Sequence, residues 1–164
     1  HDADVMIALQ DFFELRQTDE LVVNRRLNEH QLIRDGVEFD VYVERQNGLV
    51  VPYDEAAAHA VTYGETKVAC LEHLLVLKLN AFAARRHSTK GEKDARDLVT
   101  IAAVSGGDAR AALLSPYLRE DHVAALDEVL AGPVFTYLAE GNAHQAKRLR
   151  TLFARFVRVV KACL

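Results

Sequence analysis

The chain has 164 residues, of which half are hydrophobic and 27% charged, and its formal net charge is −4. These proportions are typical of a globular protein with a packed core and exclude intrinsic disorder. Because the net charge is negative, we do not expect the surface of the chain as a whole to attract nucleic acid. No apolar run approaches the ~18–20 residues needed to cross a bilayer. The cysteines, Cys70 and Cys163, belong to no paired motif and indicate free thiols. We therefore expect a cytoplasmic protein without a membrane partner.

Strand and turn signals dominate the first 70 residues, and helical periodicity dominates the rest. The expected elements of the first part are a strand at 3–9, a helix at 11–16, a hairpin of 30–34 and 37–43 around Asp35-Gly36, a helix at 53–60 and a ribbon at 61–69. The expected helices of the second part are 71–86, 90–104 (after a capping box at Thr89-x-x-Glu92), 108–114, 119–130, 134–140 and 142–162. The pattern predicts an α+β fold. We expect a small mixed β-sheet packed on helices over 1–70 and a C-terminal helical bundle over 71–164.

Carboxylates follow one face of two predicted strands. Strand side chains alternate, so Asp2 and Asp4 share a face of the first strand, and Asp40 lies opposite the apolar face of the later strand. If the two strands are neighbours, the three carboxylates converge and repel one another unless a cation lies between them. Hard oxygen ligands suit Mg²⁺. The alternative is that these are solvated acids at strand ends.

A lysine interrupts the apolar stripe of the first long helix. Lys78 lies among leucines and Phe82 on the face that should pack inward. Such a lysine either forms an ion pair with a buried carboxylate or directs its charge at a bound phosphate. On the next helix, Asp94 and Asp97 also face inward, and either could meet Lys78 or Arg86.

The last helix is basic. Six lysines and arginines and no acid occur between residues 144 and 161, beside an apolar face. The simpler interpretation is a core-packing helix with a solvated basic side. The functional interpretation is a patch over 147–161 for an RNA acceptor or an acidic partner protein.

Four segments together resemble the nucleotidyltransferase superfamily, whose fold is that of DNA polymerase beta, and especially the minimal bacterial members of the abortive-infection toxin group. His1-Asp2-Ala3-Asp4-Val5 resembles the Asp-x-Asp strand, and Val37–Tyr42 resembles the strand of the third acid. Leu74–Ala81 resembles the segment Leu-Leu-x-Leu-Lys-Leu-x-Ala, and Lys93–Leu98 resembles Lys-Asp-x-x-Asp-Leu. The resemblance covers about residues 1–104.

The resemblance implies an enzyme that uses Mg²⁺ or Mn²⁺ to move a nucleoside monophosphate from an NTP to a hydroxyl of RNA, protein or a small molecule. Asp2 and Asp4 would hold the metal, and Asp40 would complete its site and help to deprotonate the acceptor. It further implies a bacterial protein, with a toxin role and an antitoxin as a partner.

The same resemblance gives charged residues of the predicted helices 71–86 and 90–104 a supporting role. Lys78 would neutralise phosphate charge, and Asp94 and Asp97 would position it or the adjacent Arg86. The family's Gly-Ser segment, which cradles the triphosphate, does not occur in the chain, and Gly106-Gly107 lies in the wrong place to replace it. We expect that segment upstream of His1. Two alternatives remain: a non-catalytic binding module or complex subunit of the same fold, and a metal-dependent phosphohydrolase.

Overall fold

The computed structural model describes residues 3–18, 21–24, 29–34 and 36–164. The chain divides into two compact units, 1–55 and 56–164. The first unit contains β1 (Ala3–Ile7), α1 (Leu9–Leu15), β2 (Leu21–Asn24), β3 (Glu29–Arg34) and β4 (Val37–Val43), and α2 (Tyr53–Ala58) spans the boundary. The second contains β5 (Val61–Tyr63), β6 (Thr66–Val68), α3 (Leu71–Arg85), α4 (Thr89–Val104), α5 (Ala111–Leu114), α6 (Glu120–Ala131), α7 (Val134–Leu138) and α8 (Ala143–Lys161). The predicted α+β class is confirmed, with a mixed sheet followed by C-terminal helices.

The four-stranded sheet has the order β1-β4-β3-β2. β1 runs parallel to β4, and the other two pairings are antiparallel. The predicted hairpin is confirmed: Arg34 pairs with Val37, and Gly36 has φ +77°, a left-handed conformation that glycine adopts readily. Residues 17–29, which carry no clear pattern, contribute the short edge strand β2 and the start of β3.

The core of this unit lies where α1 covers the sheet. Phe12 of α1 packs on Val41 and Val43 of β4, and all three are buried. The expected apolar face of β4 is only partly covered, because Val37 is 40% exposed. A helix of seven residues is about 10 Å long, so α1 reaches only the later half of that strand.

The helical unit is built around the antiparallel pair α3 and α4. α4 begins one residue earlier than its expected capping box, because Ser88 is the N-cap and its hydroxyl accepts a hydrogen bond of 3.1 Å from the Gly91 backbone N–H. Gly91 is buried, and a Cβ there would overlap the carbonyl oxygens of Arg85 and Arg86. The missing side chain therefore lets the start of α4 approach the end of α3 closely.

α8 supplies the other large part of this core. Its apolar face buries Phe153, Phe156, Val157 and Val160. The two cysteines are free thiols, as predicted, and burial raises the pKa of each. In the described portion of the chain, no helix has both the length and the apolar character required to span a membrane.

Candidate functional site

Two of the three predicted acids are direct neighbours on the sheet. Asp4 of β1 and Asp40 of β4 are partners in the parallel register, so their side chains leave the same face of strands about 4.8 Å apart. Asp4 is exposed and Asp40 is half-buried. Asp2 lies outside the described residues, and its place beside them stays a prediction. The sheet thus brings two carboxylates together on the face opposite the α1 core.

A third polar side chain joins this pair from β3. Gln31 is the antiparallel partner of Asp40, and its Nε2 donates a hydrogen bond of 3.0 Å to Asp40 Oδ1. Gln31 was not among the site residues predicted from the sequence, although a tight turn between the two strands implies its register. The two-residue turn that Asp35-Gly36 predicts from the sequence would pair Arg34 with Val37 and, three steps further, Gln31 with Asp40, and both pairs are observed. The amide therefore fixes one of the two carboxylate oxygens of Asp40.

The donor set at Asp4 and Asp40 fits a hard divalent cation. Mg²⁺ is usually bound through one or two carboxylates, with water and substrate phosphates as its remaining ligands. Across the ranges that the structure describes, no group of three or more histidine, cysteine or acidic side chains could hold a metal. Asp4 and Asp40 supply the number of carboxylates that such an open cation site uses.

The predicted lysine network forms within the helical unit. Lys78 Nζ lies 2.8 Å from Asp97 Oδ2 and 3.8 Å from Asp94 Oδ1. Asp94 is 1% exposed and also accepts hydrogen bonds of 2.7 and 3.0 Å from Nε and Nη2 of Arg85. These contacts agree with the ion-pair interpretation of Lys78, because two carboxylates balance its charge. Its role toward a phosphate stays a prediction.

The arginine of this network is Arg85, and not Arg86 as the sequence suggested. Seven residues separate Lys78 from Arg85, which is close to two helical turns, so both lie on the α3 face that meets α4. Arg86 is rotated by about 100° from Arg85 and instead pairs with Glu128 of α6, with Nη1 3.0 Å from Oε2. The i, i+7 spacing would have identified Arg85.

A second buried carboxylate was missed by the sequence analysis. Glu72 at the start of α3 is 8% exposed and accepts hydrogen bonds from the Arg110 side chain at 3.0 and 2.7 Å and from its backbone N–H at 3.1 Å. The bonds from Arg110 lower the pKa of Glu72 from 4.5 to about 2, against the opposing effect of burial. This ion pair holds the segment that precedes α5 against the start of α3.

The basic face of α8 is exposed along its whole length. Arg155 pairs with Asp108 at 2.9 Å and Lys161 with Asp127 at 2.8 Å. Arg150 donates a hydrogen bond of 3.2 Å to the Gly132 carbonyl. Three further cations of this face have no acidic partner in the described ranges: Lys147, Arg148 and Arg158. They border a groove of about 640 Å³ together with Arg155. The solvated side of α8 is therefore a concentration of positive charge on a chain that is negative overall.

The candidate residues belong to different units, with the acid pair in 1–55 and the lysine network and α8 in 56–164. Comparison with known proteins found no matching family model, no matching curated protein and no matching solved structure. A functional assignment therefore depends on the residues themselves.

Proposed function

We propose that this chain is a metal-dependent nucleotidyltransferase that moves a nucleoside monophosphate from an NTP to a hydroxyl group of RNA, protein or a small molecule. The observation that supports this most directly is the register that makes Asp4 and Asp40 neighbours on one face of the sheet. Two like charges in that position favour a bound cation. The order of the four segments that resemble the superfamily supports the same function.

In this proposal the acid pair holds Mg²⁺ or Mn²⁺, which would supply positive charge to the triphosphate. Asp40, oriented by the Gln31 amide, accepts the proton of the acceptor hydroxyl. The acceptor oxygen then forms a bond to the α-phosphorus, the bond from that phosphorus to the bridging oxygen breaks, and pyrophosphate leaves. Positioning and charge stabilisation provide most of the rate enhancement.

The remaining residues have supporting roles in the proposal. Asp2 adds a third carboxylate to the metal site. Lys78 neutralises phosphate charge, Asp94 and Asp97 orient it, and Arg86 is a second cation at the end of the same helix. The basic face of α8, residues 147–161, is the surface for an RNA acceptor or for an antitoxin protein.

The test is transfer of labelled nucleoside monophosphate. The chain is incubated with the four α-labelled NTPs, Mg²⁺ or Mn²⁺ and RNA or protein acceptors. We expect Asp4→Asn and Asp40→Asn to reduce transfer at least a hundredfold, while Glu14→Gln, an exposed acid on α1, leaves it unchanged. Transfer that survives both aspartate substitutions contradicts the proposal. Release of nucleotide or phosphate without an acceptor product favours a phosphohydrolase.

The alternative from another class is a non-catalytic module of the same architecture. It is favoured by the contacts of Lys78, whose charge is already balanced by Asp97 at 2.8 Å. Such a module would bind NTP or a partner protein and form no covalent product with any acceptor. Nucleotide binding without transfer, at any metal concentration, would select it. A toxin role predicts growth arrest on expression, and Asp40→Asn should relieve that arrest.

A further inference from the structure

A cavity of about 280 Å³ continues the acid face of the sheet. Met6 follows Asp4 by two residues on β1, and Tyr42 follows Asp40 by two on β4, so these four side chains leave the same face. Met6 and Tyr42 line the cavity, and Tyr53 lies in its wall. Two residues along a strand span about 7 Å, so the cavity begins one step beyond the acid pair, at the carboxyl ends of two parallel strands.

The loop after β4 forms a fixed wall for this cavity. Asn47 Oδ1 accepts a hydrogen bond of 2.7 Å from the Val43 backbone N–H, and the Val43 carbonyl accepts bonds of 3.1 Å from the backbone N–H groups of Gln46 and Asn47. Arg45, at the rim, has φ +62°, which a non-glycine residue rarely adopts. Small-molecule sites are usually preformed in this way.

The side chains that line the cavity indicate which class of ligand it binds. Tyr42 and Tyr53 are half-buried aromatic residues, Met6 is a polarisable apolar one, and Arg45 and Asp54 supply polar groups at the rim. Aromatic and apolar side chains bind flat rings by stacking, and polar groups at the edge read the ring's donors and acceptors. A cavity of this size fits a single ring system better than a long chain or a peptide.

We propose that this cavity binds the nucleobase of a nucleotide whose phosphates lie over Asp4 and Asp40. The phosphate half of this inference rests on the proposed function, whereas the base-binding half can be tested without it. The base comes either from the NTP or from the end of an RNA acceptor, and both present the same ring to Tyr53.

The test measures binding of the four free nucleosides, without phosphate or metal, by calorimetry or NMR. We expect Tyr53→Ala to weaken binding roughly five- to a hundredfold, which is the loss on removing one base-stacking aromatic residue. Tyr53→Phe should bind within about twofold of the unmodified chain, because it keeps the ring. Tyr63→Ala removes an exposed tyrosine of β5, outside the cavity, and should change nothing.

A second variant covers the case in which Tyr53→Ala fails to fold. Gly48 lines the cavity, and a Cβ added there meets no atom within 4 Å. Gly48→Phe should therefore fold normally, occupy the cavity and abolish nucleoside binding. The proposal is overturned if no nucleoside binds, or if Tyr53→Ala and Gly48→Phe bind as well as Tyr63→Ala.

Two further arms separate this inference from the proposed function. Asp4→Asn and Asp40→Asn should keep nucleoside affinity and lose only the Mg²⁺-dependent part of NTP affinity. Transfer activity that is indifferent to Tyr53→Ala and Gly48→Phe would overturn the cavity's role and leave the transferase intact. Nucleoside binding by a chain that shows no transfer activity would overturn the proposed function and leave the cavity's role intact. Competition by an NTP or by a short oligoribonucleotide then shows which of the two supplies the base.

Discussion

Asp94 and Arg85 form a two-bond ion pair between α3 and α4, in which the aspartate side chain is 1% exposed and the arginine side chain 42% exposed. This asymmetry makes the arginine the more damaging residue to remove. Arg85→Ala would leave a buried carboxylate with Lys78 only at 3.8 Å. We expect the free energy of unfolding to fall by about 2–3 kcal/mol, since an uncompensated buried charge is costly. Denaturant unfolding followed by circular dichroism measures it.

Arg86→Ala is the matched control for this experiment. Arg86 is the next residue along and pairs with Glu128, which is 41% exposed, so its loss should cost at most about 1 kcal/mol. Equal effects of the two alanine substitutions would show that burial of Asp94 does not determine the stability of the pair.

The Glu72–Arg110 pair predicts a specific acid sensitivity. The pKa of Glu72 is about 2 in the folded protein, against an ordinary value of 4.5, so its ionised form favours the folded state. This contribution is complete above pH 4.5 and is lost as the pH falls toward 2. We expect Glu72→Gln to lower stability by about 2 kcal/mol at neutral pH and to make unfolding less dependent on pH within that window. A pH dependence identical to that of the unmodified chain would contradict the assignment.

The acid pair predicts how the stability of the chain responds to removal of one charge and to added metal. Asp4→Asn removes repulsion between adjacent strands and should raise the stability of the metal-free chain by about 0.2–1 kcal/mol. Millimolar Mg²⁺ should raise the melting temperature of the unmodified chain and leave that of Asp4→Asn unchanged, because only a folded acid pair binds the cation. Glu14→Gln changes the same charge on α1 and should retain the Mg²⁺ response. Calorimetry at several Mg²⁺ concentrations tests both outcomes.

The close approach of α3 and α4 at Gly91 predicts a strong effect of a single methyl group. Gly91→Ala would place a Cβ against the carbonyl oxygens of Arg85 and Arg86 and should reduce stability by about 1–3 kcal/mol. Gly48→Ala is the control, since a Cβ there meets no atom within 4 Å. Thermal melts of the two variants should differ clearly. If Gly91→Ala left stability unchanged, the ends of α3 and α4 would be able to move apart without a cost in stability.

The basic face of α8 predicts salt-dependent binding of single-stranded RNA. With four cations engaged, the logarithm of the binding constant should fall with the logarithm of salt concentration with a slope of about −3. The double variant Arg148→Ala/Arg158→Ala should reduce that slope by about 1.4. The control Lys67→Ala/Lys90→Ala removes equal exposed charge elsewhere and should leave the slope unchanged. Equal slopes for both double variants would exclude the groove on α8 as the binding surface.

Local signals predicted much of this structure. The Asp-Gly pair predicted the β3–β4 hairpin, and the register of that hairpin implies the contact between Gln31 and Asp40. Helical spacing placed Lys78 against Asp97, and the same argument carried two turns further along α3 reaches Arg85. These features follow from geometry within a few residues, which a sequence displays directly.

Non-local features were harder to predict. The pairing of β1 with β4 joins segments more than 30 residues apart, and nothing in either strand specifies its partner or direction. The exposure of Val37 depends on how far the short α1 extends over the sheet, which the alternation of side chains does not reveal. Arg110 meets Glu72 through a loop, where no periodicity exists to indicate the partner.

Among the described strands, β1 lies at an edge of the sheet and pairs with β4 alone, whereas β2, β3 and β4 pair antiparallel in chain order. β2, β3 and β4 follow one another closely in sequence, whereas β1 must close a long loop before it gains a strand hydrogen bond from β4, so it should join last. Asp4 and Asp40 become neighbours only in that final step. Ions that bind the pair should therefore slow detachment of β1 selectively, and hydrogen exchange along β1 becomes a measure of site occupancy.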